Sequence, residues 1–342
     1  MMCDDPDAKS SASLKPVAVN GDCSADSVSR NGDLDAEDAE NDDALRDIKT
    51  ATFSDAVPVL FSRSWLNLLR QPALLTARLW QVIAFGVIMA MFFWDIGRDQ
   101  VSISNRVGLL MFTVSIVPVG VLNAVANFPR ERNVFYREVA DSVYGTAAFY
   151  VTYVSTELFS EIIGVLVIAA MIHFGSNVYH AWDVSVFFSY AYVTFCMVFF
   201  GESVGMLCCA MFYHVGFAVS LVTTFVGVTN AMSGLMCVES TIFAPLRYLN
   251  YASPPRWGSR VLTLFEFRGA TFYCKPDEVL SDGSCPITTG EAVLKMYGLE
   301  DDSLWMAFLG LTLTTIFFRL LSLAVLHFYR PSQKASTVSL GK

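Results

Sequence analysis

The sequence predicts an all-α membrane protein: six transmembrane helices, an amphipathic helix ahead of the first, and a long external loop between the fifth and sixth. Three observations carry this. Of the 342 residues, 54% are hydrophobic and 16% are charged, whereas a soluble domain has about 25% charged residues. Six apolar stretches each reach the roughly 20 helical residues that span a hydrocarbon core of about 30 Å. Barrel-type alternation is absent, so backbone groups in lipid must be satisfied inside helices.

The predicted spans are about 74–94, 107–128, 146–174, 184–212, 215–238 and 304–328, within a membrane domain over 53–330. The third and fourth are long, which implies tilt or extension beyond the bilayer. Ahead of the first lies VLFSRSWLNLLRQP, Val59–Pro72. Phe61, Trp65, Leu68 and Leu69 share one helical face, opposite Arg63, Asn67 and Arg70, the design of a helix lying in the interface plane. Arg78 is placed to snorkel from the mouth of the first span.

The net charge of −9 is concentrated at the start. Residues 1–50 hold thirteen Asp or Glu against five Lys or Arg, and no Phe, Trp or Tyr. Residues 1–52 therefore read as a disordered acidic tail, since such a segment buries too little to offset ordering entropy. It lacks the basic start and apolar core of a secretory signal. Residues 331–342 form a short second tail.

Basic residues set the orientation. Arg63, Arg70 and Arg78, then Arg130, Arg132 and Arg137, and finally Arg330 and Lys334 share one side if there are six spans. Both termini are then cytosolic, in a multi-pass protein expected at the plasma membrane, and the loop from Glu239 to Ser303 is external. Cys274 and Cys285 sit in that loop, where an oxidising exterior predicts a disulfide. Cys196, Cys208, Cys209 and Cys237 read as small apolar packing residues. No metal-ligand spacing appears.

The segment NFPRERNVFYRE, Asn127–Glu138, is densely charged between two apolar spans. Phe128, Phe135 and Val139 recur at helical spacing, which predicts a short amphipathic helix facing the cytosol. One reading is a solvated loop that fixes topology; the other is a docking helix for a cytosolic partner.

With this segment, NLLRQP (67–72), NRVGLLMF (105–112), SGLM (233–236), SPPRWGSRVLTLFEFRG (253–269) and FRLLSLAVLHFYR (318–330), the chain resembles the transmembrane half of the G subfamily of ABC transporters, the White-like half-transporters with an ABC-2 type membrane domain. The resemblance implies that Phe61–Pro72 is the connecting helix and Phe128–Glu138 the coupling helix, with Arg130, Glu131, Arg132, Arg137 and Glu138 toward a nucleotide-binding domain. It implies an apolar valve at Leu235 and Met236, above a substrate path lined by Ile116, Val119, Thr223, Gly227 and Asn230. Val119 stands where multidrug members carry an aromatic. Thr241–Gly269 is similar to the re-entrant helices, and Cys274 and Cys285 fall in the disulfide-bearing loop.

No GxxxxGK[ST] or LSGGQ-type motif occurs, so ATP and Mg are expected on a nucleotide-binding domain of another chain, or on one lost by truncation. The chain is then not an enzyme by itself. Its expected partners are that domain, a second half-transporter as homodimer or heterodimer, and membrane lipid, with no nucleic acid.

Glu157, Glu161, Glu202 and Arg319 lie within spans. Charges there are costly and usually face a bundle interior, which predicts a polar relay beside the coupling helix. Glu157 and Glu161 also admit a reading near the cytosolic surface. GESVG (201–205) fits a nucleophile pattern around Ser203, with His327 as partner, but that elbow needs a strand–turn–helix context; no catalytic residue is assigned. His173 and His180 bracket an external helix end. The leading function is an ATP-driven exporter of lipids, sterols or other amphipathic compounds. The alternatives are a passive scramblase or channel, and a truncated remnant that regulates complete half-transporters.

Overall fold

A computed structural model of the chain describes residues 50–329, except 181–182, 238–241, 277, 280–283 and the side chain of Leu74. The acidic segment over 1–49 and the tail over 331–342 lie outside the described residues. Among the described residues, eleven helices follow in order: α1 Phe53–Arg70, α2 Pro72–Phe92, α3 Gln100–Val114, α4 Val117–Ala140, α5 Thr146–Gly175, α6 Val184–Met211, α7 Val215–Ala231, α8 Ala244–Asn250, α9 Pro254–Phe267, α10 Gly290–Met296 and α11 Leu304–Phe328. No β-strand occurs among the described residues, only a bridge between Thr271 and Thr289.

α6 is the axis of the bundle: α4, α11, α5, α9 and α7 all pack on it. The α4–α6 contact is the tightest because small residues let the backbones touch. A Cβ on Gly120 would overlap the Val198 carbonyl, and one on Gly201 would overlap Val117 O. At Gly205 an added Cβ would stand 2.8 Å from the Ala124 Cβ. GESVG is thus a helix-crossing motif, and Ser203 donates to Phe199 O at 2.7 Å within α6.

Among the described residues, five helical runs are long and apolar enough to cross a membrane. The expected second span is two helices, broken at Ser115–Ile116, within one run over Gln100–Ala140. Pro118 explains the break: it has no N–H to donate to Val114 O and its ring crowds that carbonyl, so one helix ends there and Pro118 sits in the first turn of the next. The fifth apolar stretch yields only α7, 17 residues instead of the expected 215–238. At 1.5 Å per residue α7 covers about 25 Å, short of the hydrocarbon core. It stops because Gly234 adopts φ +88°, a left-handed turn conformation that glycine takes at little cost.

The charged segment also differs from expectation. It is not a separate helix: α4 runs unbroken through Pro129 to Ala140. Phe128 and Phe135, 1% and 0% exposed, hold this extension against α5, where Phe149 stacks on Phe135 with centroids 4.4 Å apart.

At the opposite end, Cys274 and Cys285 are bonded, with Cα atoms 5.9 Å apart. Gln100 clasps the same loop, donating to Ile287 O at 2.6 Å and accepting from Ile287 N at 3.2 Å. Asp99, just before α3, accepts from Lys275 at 2.5 Å and from the Ser102 hydroxyl. The Lys275 ammonium and the Ser102 hydroxyl hold the Asp99 carboxyl down at about 2, against an unfolded value of about 3.9. A depressed carboxylate stabilises above its unfolded value and loses that contribution as pH falls. The melting difference between wild type and Asp99→Asn is therefore expected to shrink from about pH 4 down to about pH 2. A difference constant over that window contradicts the pairing.

Candidate functional site

The charged end is braced from inside. Arg63 of α1 makes two bonds to Glu138, at 2.5 and 3.1 Å, and the Tyr144 hydroxyl donates to the same carboxylate. α1 buries Ala56 and Leu60 and sets Trp65 edge-on against Phe159 at 5.0 Å, while Phe61 and Leu69 stay exposed. The amphipathic helix thus turns Arg63 inward.

Arg132 is 3% exposed. It donates to Cys209 O and, at 3.2 Å, to Phe212 O, which are carbonyls at the C-terminal end of α6. A helix leaves its last carbonyls without intrahelical partners and its C-terminus favours a cation. Arg132 and Glu138 are therefore committed within the chain, contrary to the expectation that they reach a partner. Arg130 and Arg137 remain exposed on one face with Asn133 and Val134. Glu131 is half-buried and lines a polar cavity of ≈ 90 Å³ with Ser64, Asn67 and Glu157.

The intramembrane charges form two pairs, not a continuous relay. Arg78 does not snorkel: it turns inward to Glu157, also donating to Ser160 at 3.0 Å. Arg319 of α11 reaches Glu202 at 3.4 Å and Ser203 at 3.3 Å across to α6. Glu161 is 6% exposed, and neither of its oxygens has a hydrogen-bond partner.

Along the expected path, Thr223 and Gly227 are exposed on α7 and Asn230 is half-buried. Ile116 and Val119 are 1% and 7% exposed, inside the bundle. The exposed face of α4 is instead Pro118, Leu122 and Ala126. At the expected valve, Leu235 is buried and Met236 is 54% exposed. The Ser259 hydroxyl pins this turn to α9 by donating to Ser233 O at 2.5 Å.

One buried pair escaped the sequence reading. Arg106 of α3 and Glu266 of α9 are 2% and 1% exposed and bonded to each other. Arg106 also donates to Ile96 O and Gly97 O at 3.0 and 2.9 Å, and Glu266 accepts from Tyr179 N at 3.1 Å. The available signal was an arginine alone in an apolar stretch, which is costly unless paired.

Residues 56–267 match the ABC-2 type transporter family. An uncharacterized ABC transporter ATP-binding protein/permease of Saccharomyces cerevisiae is 31% identical over 254 residues, which is 74% of this chain and 19% of that one. ABC transporter G family member 2 of Dictyostelium discoideum is 22% identical, over 80% of this chain and 22% of its own length. The broad substrate specificity ATP-binding cassette transporter ABCG2 of Sus scrofa is 24% identical, over 79% and 41%. The chain spans about a fifth of the length of the first two relatives.

Proposed function

The chain belongs to the ABC-2 type transporter family, with a membrane domain of the G-subfamily type, and from that premise we propose that it is the membrane-spanning part of an ATP-driven exporter of lipids, sterols or other amphipathic compounds. A nucleotide-binding domain binds ATP and Mg and docks on the exposed face carrying Arg130 and Arg137. This charged end faces the cytosol at the plasma membrane. A second copy or a related half-transporter meets the exposed faces of α4 and α7, so that Thr223 and Gly227 border the shared path below Leu235 and Met236.

The observation that carries this reading is the continuity of α4. One helix bears the exposed basic face at one end and the backbone contact with α6 at the other. Arg132 ties the same helix to the C-terminus of α6. Force applied at Arg130 or Arg137 is thereby delivered to the central helix of the bundle. A passive channel has no use for such a lever.

The test is transport of a fluorescent lipid in vesicles that contain the chain, with and without a co-expressed nucleotide-binding chain. Export that requires both ATP and that chain is expected. Flux of equal rate without either contradicts the exporter reading and favours a scramblase or channel.

A further inference from the structure

Glu161 opens onto a crevice inside the bundle, lined on its polar side by Arg78, Asn123, Ser160 and Glu202. Its apolar side is Leu75, Leu79, Val82, Ile168 and Val198, with Ile116 and Val119 at the helix break. The enclosed space is ≈ 30 Å³, and a water needs about 10–15 Å³ measured in this way. A group the size of a water fits there; a bulky headgroup does not.

The charges leave one carboxylate over. Arg78 is taken by Glu157, and Arg319 by Glu202. Glu161, the third carboxyl, is 6% exposed and lacks any partner for either oxygen. A buried carboxylate without a counter-ion is costly in a bilayer, so the site is complete only when a cation or a proton is added. A mainly apolar cleft with a few convergent polar groups is the usual form of a small-molecule site.

We propose that this crevice binds the head of a long-chain primary amine, its ammonium against Glu161 and its alkyl chain running outward along the half-exposed side of α2. A primary ammonium is close to water in size and donates three hydrogen bonds, which the Glu161 carboxylate and the Ser160 and Asn123 oxygens can accept. The leftover negative charge is neutralised, and the tail leaves the crevice past the half-exposed Leu75, Leu79 and Val82 side chains. A trimethylated head is too large for the enclosed space and has no proton to donate. The role of this site in substrate choice rests on the exporter reading; the binding does not, and the experiment reads binding alone.

The purified full chain in nanodiscs is titrated with dodecylamine, dodecanol and dodecyltrimethylammonium, following Tm and, by calorimetry, Kd. Dodecylamine is expected to give a saturable rise in Tm that the other two do not. Glu161→Gln, nearly the same shape without the charge, is expected to weaken dodecylamine about tenfold or more, the order of a charge-assisted hydrogen bond. Leu79→Trp, which fills the apolar wall and leaves the charges alone, is expected to weaken it as well. Equal binding of amine and alcohol overturns the proposal, and Glu161 then carries its own proton in place of an ammonium. An unchanged dodecylamine Kd in a folded Glu161→Gln protein overturns it equally.

Discussion

Gly201→Val is expected to abolish the folded bundle. The added Cβ overlaps the Val117 carbonyl and comes within 3.1 Å of Val121 N, both of them backbone atoms of α4. A flexible side chain can swing away from such a clash, but a helix backbone must move as a unit. Overpacking a core costs about 1–3 kcal/mol and occasionally more; separating α4 from α6 along their tightest crossing belongs at or above the upper end. Size-exclusion chromatography in detergent and a thermal melt check this. Loss of the monodisperse peak is expected for Gly201→Val, and Gly120→Val should behave alike because its Cβ meets Val198 O on the facing helix. Gly227→Ala is the control, since nothing lies within 4 Å of a Cβ there. A Gly201→Val protein that melts like wild type contradicts the packing of α4 on α6.

The second large effect is at Arg132. Arg132→Ala removes a buried cation together with the donors that satisfy Cys209 O and Phe212 O. Hydrogen bonds to charged groups are worth about 1.5–3 kcal/mol, and a buried carbonyl left unsatisfied adds about 1–3 kcal/mol. Loss of roughly 2.5–6 kcal/mol of stability is expected on those figures, with partial recovery in Arg132→Lys, which keeps the charge but not the planar fork. A chemical-denaturation or thermal series in detergent reads both. A surface residue that served only to set topology would give almost no change in either variant.

How much of this was legible in the sequence depends on the distance over which each contact acts. Helix positions followed from apolar length alone, because a bilayer demands about 20 residues per span. The break at Ser115–Ile116 and the end of α7 at Ala231 did not. Hydropathy averages over a window, whereas Pro118 and Gly234 act on single residues. Arg132 could have been placed by pattern: with Phe128 and Phe135 it falls at i, i+4 and i+7, one face of a helix, and that face is buried. Charge suggested a partner where period pointed inward. The glycines of GESVG were visible too, as small residues four apart, the signature of close helix crossing. The Arg106–Glu266 and Arg319–Glu202 pairs join residues 160 and 117 positions apart. No local pattern names such partners, so the sequence marks these charges as needing a partner without saying which. The inward faces of Ile116 and Val119 depend on how α4 is rotated against α6, which only the packing fixes.

The central claim is that the exposed face at the end of α4 couples an ATP-hydrolysing partner to the bundle. The most direct measurement compares wild type with the double reversal Arg130→Glu and Arg137→Glu, each co-purified with the nucleotide-binding chain and then assayed for ATP-dependent transport. Both residues are exposed, so the variant is expected to fold and to melt as wild type does. Capture of the partner and ATP-driven export should both be lost, because like charges replace the docking contacts. Equal capture and equal ATP-driven export by the reversed protein would contradict the account and leave NFPRERNVFYRE as a topology signal alone.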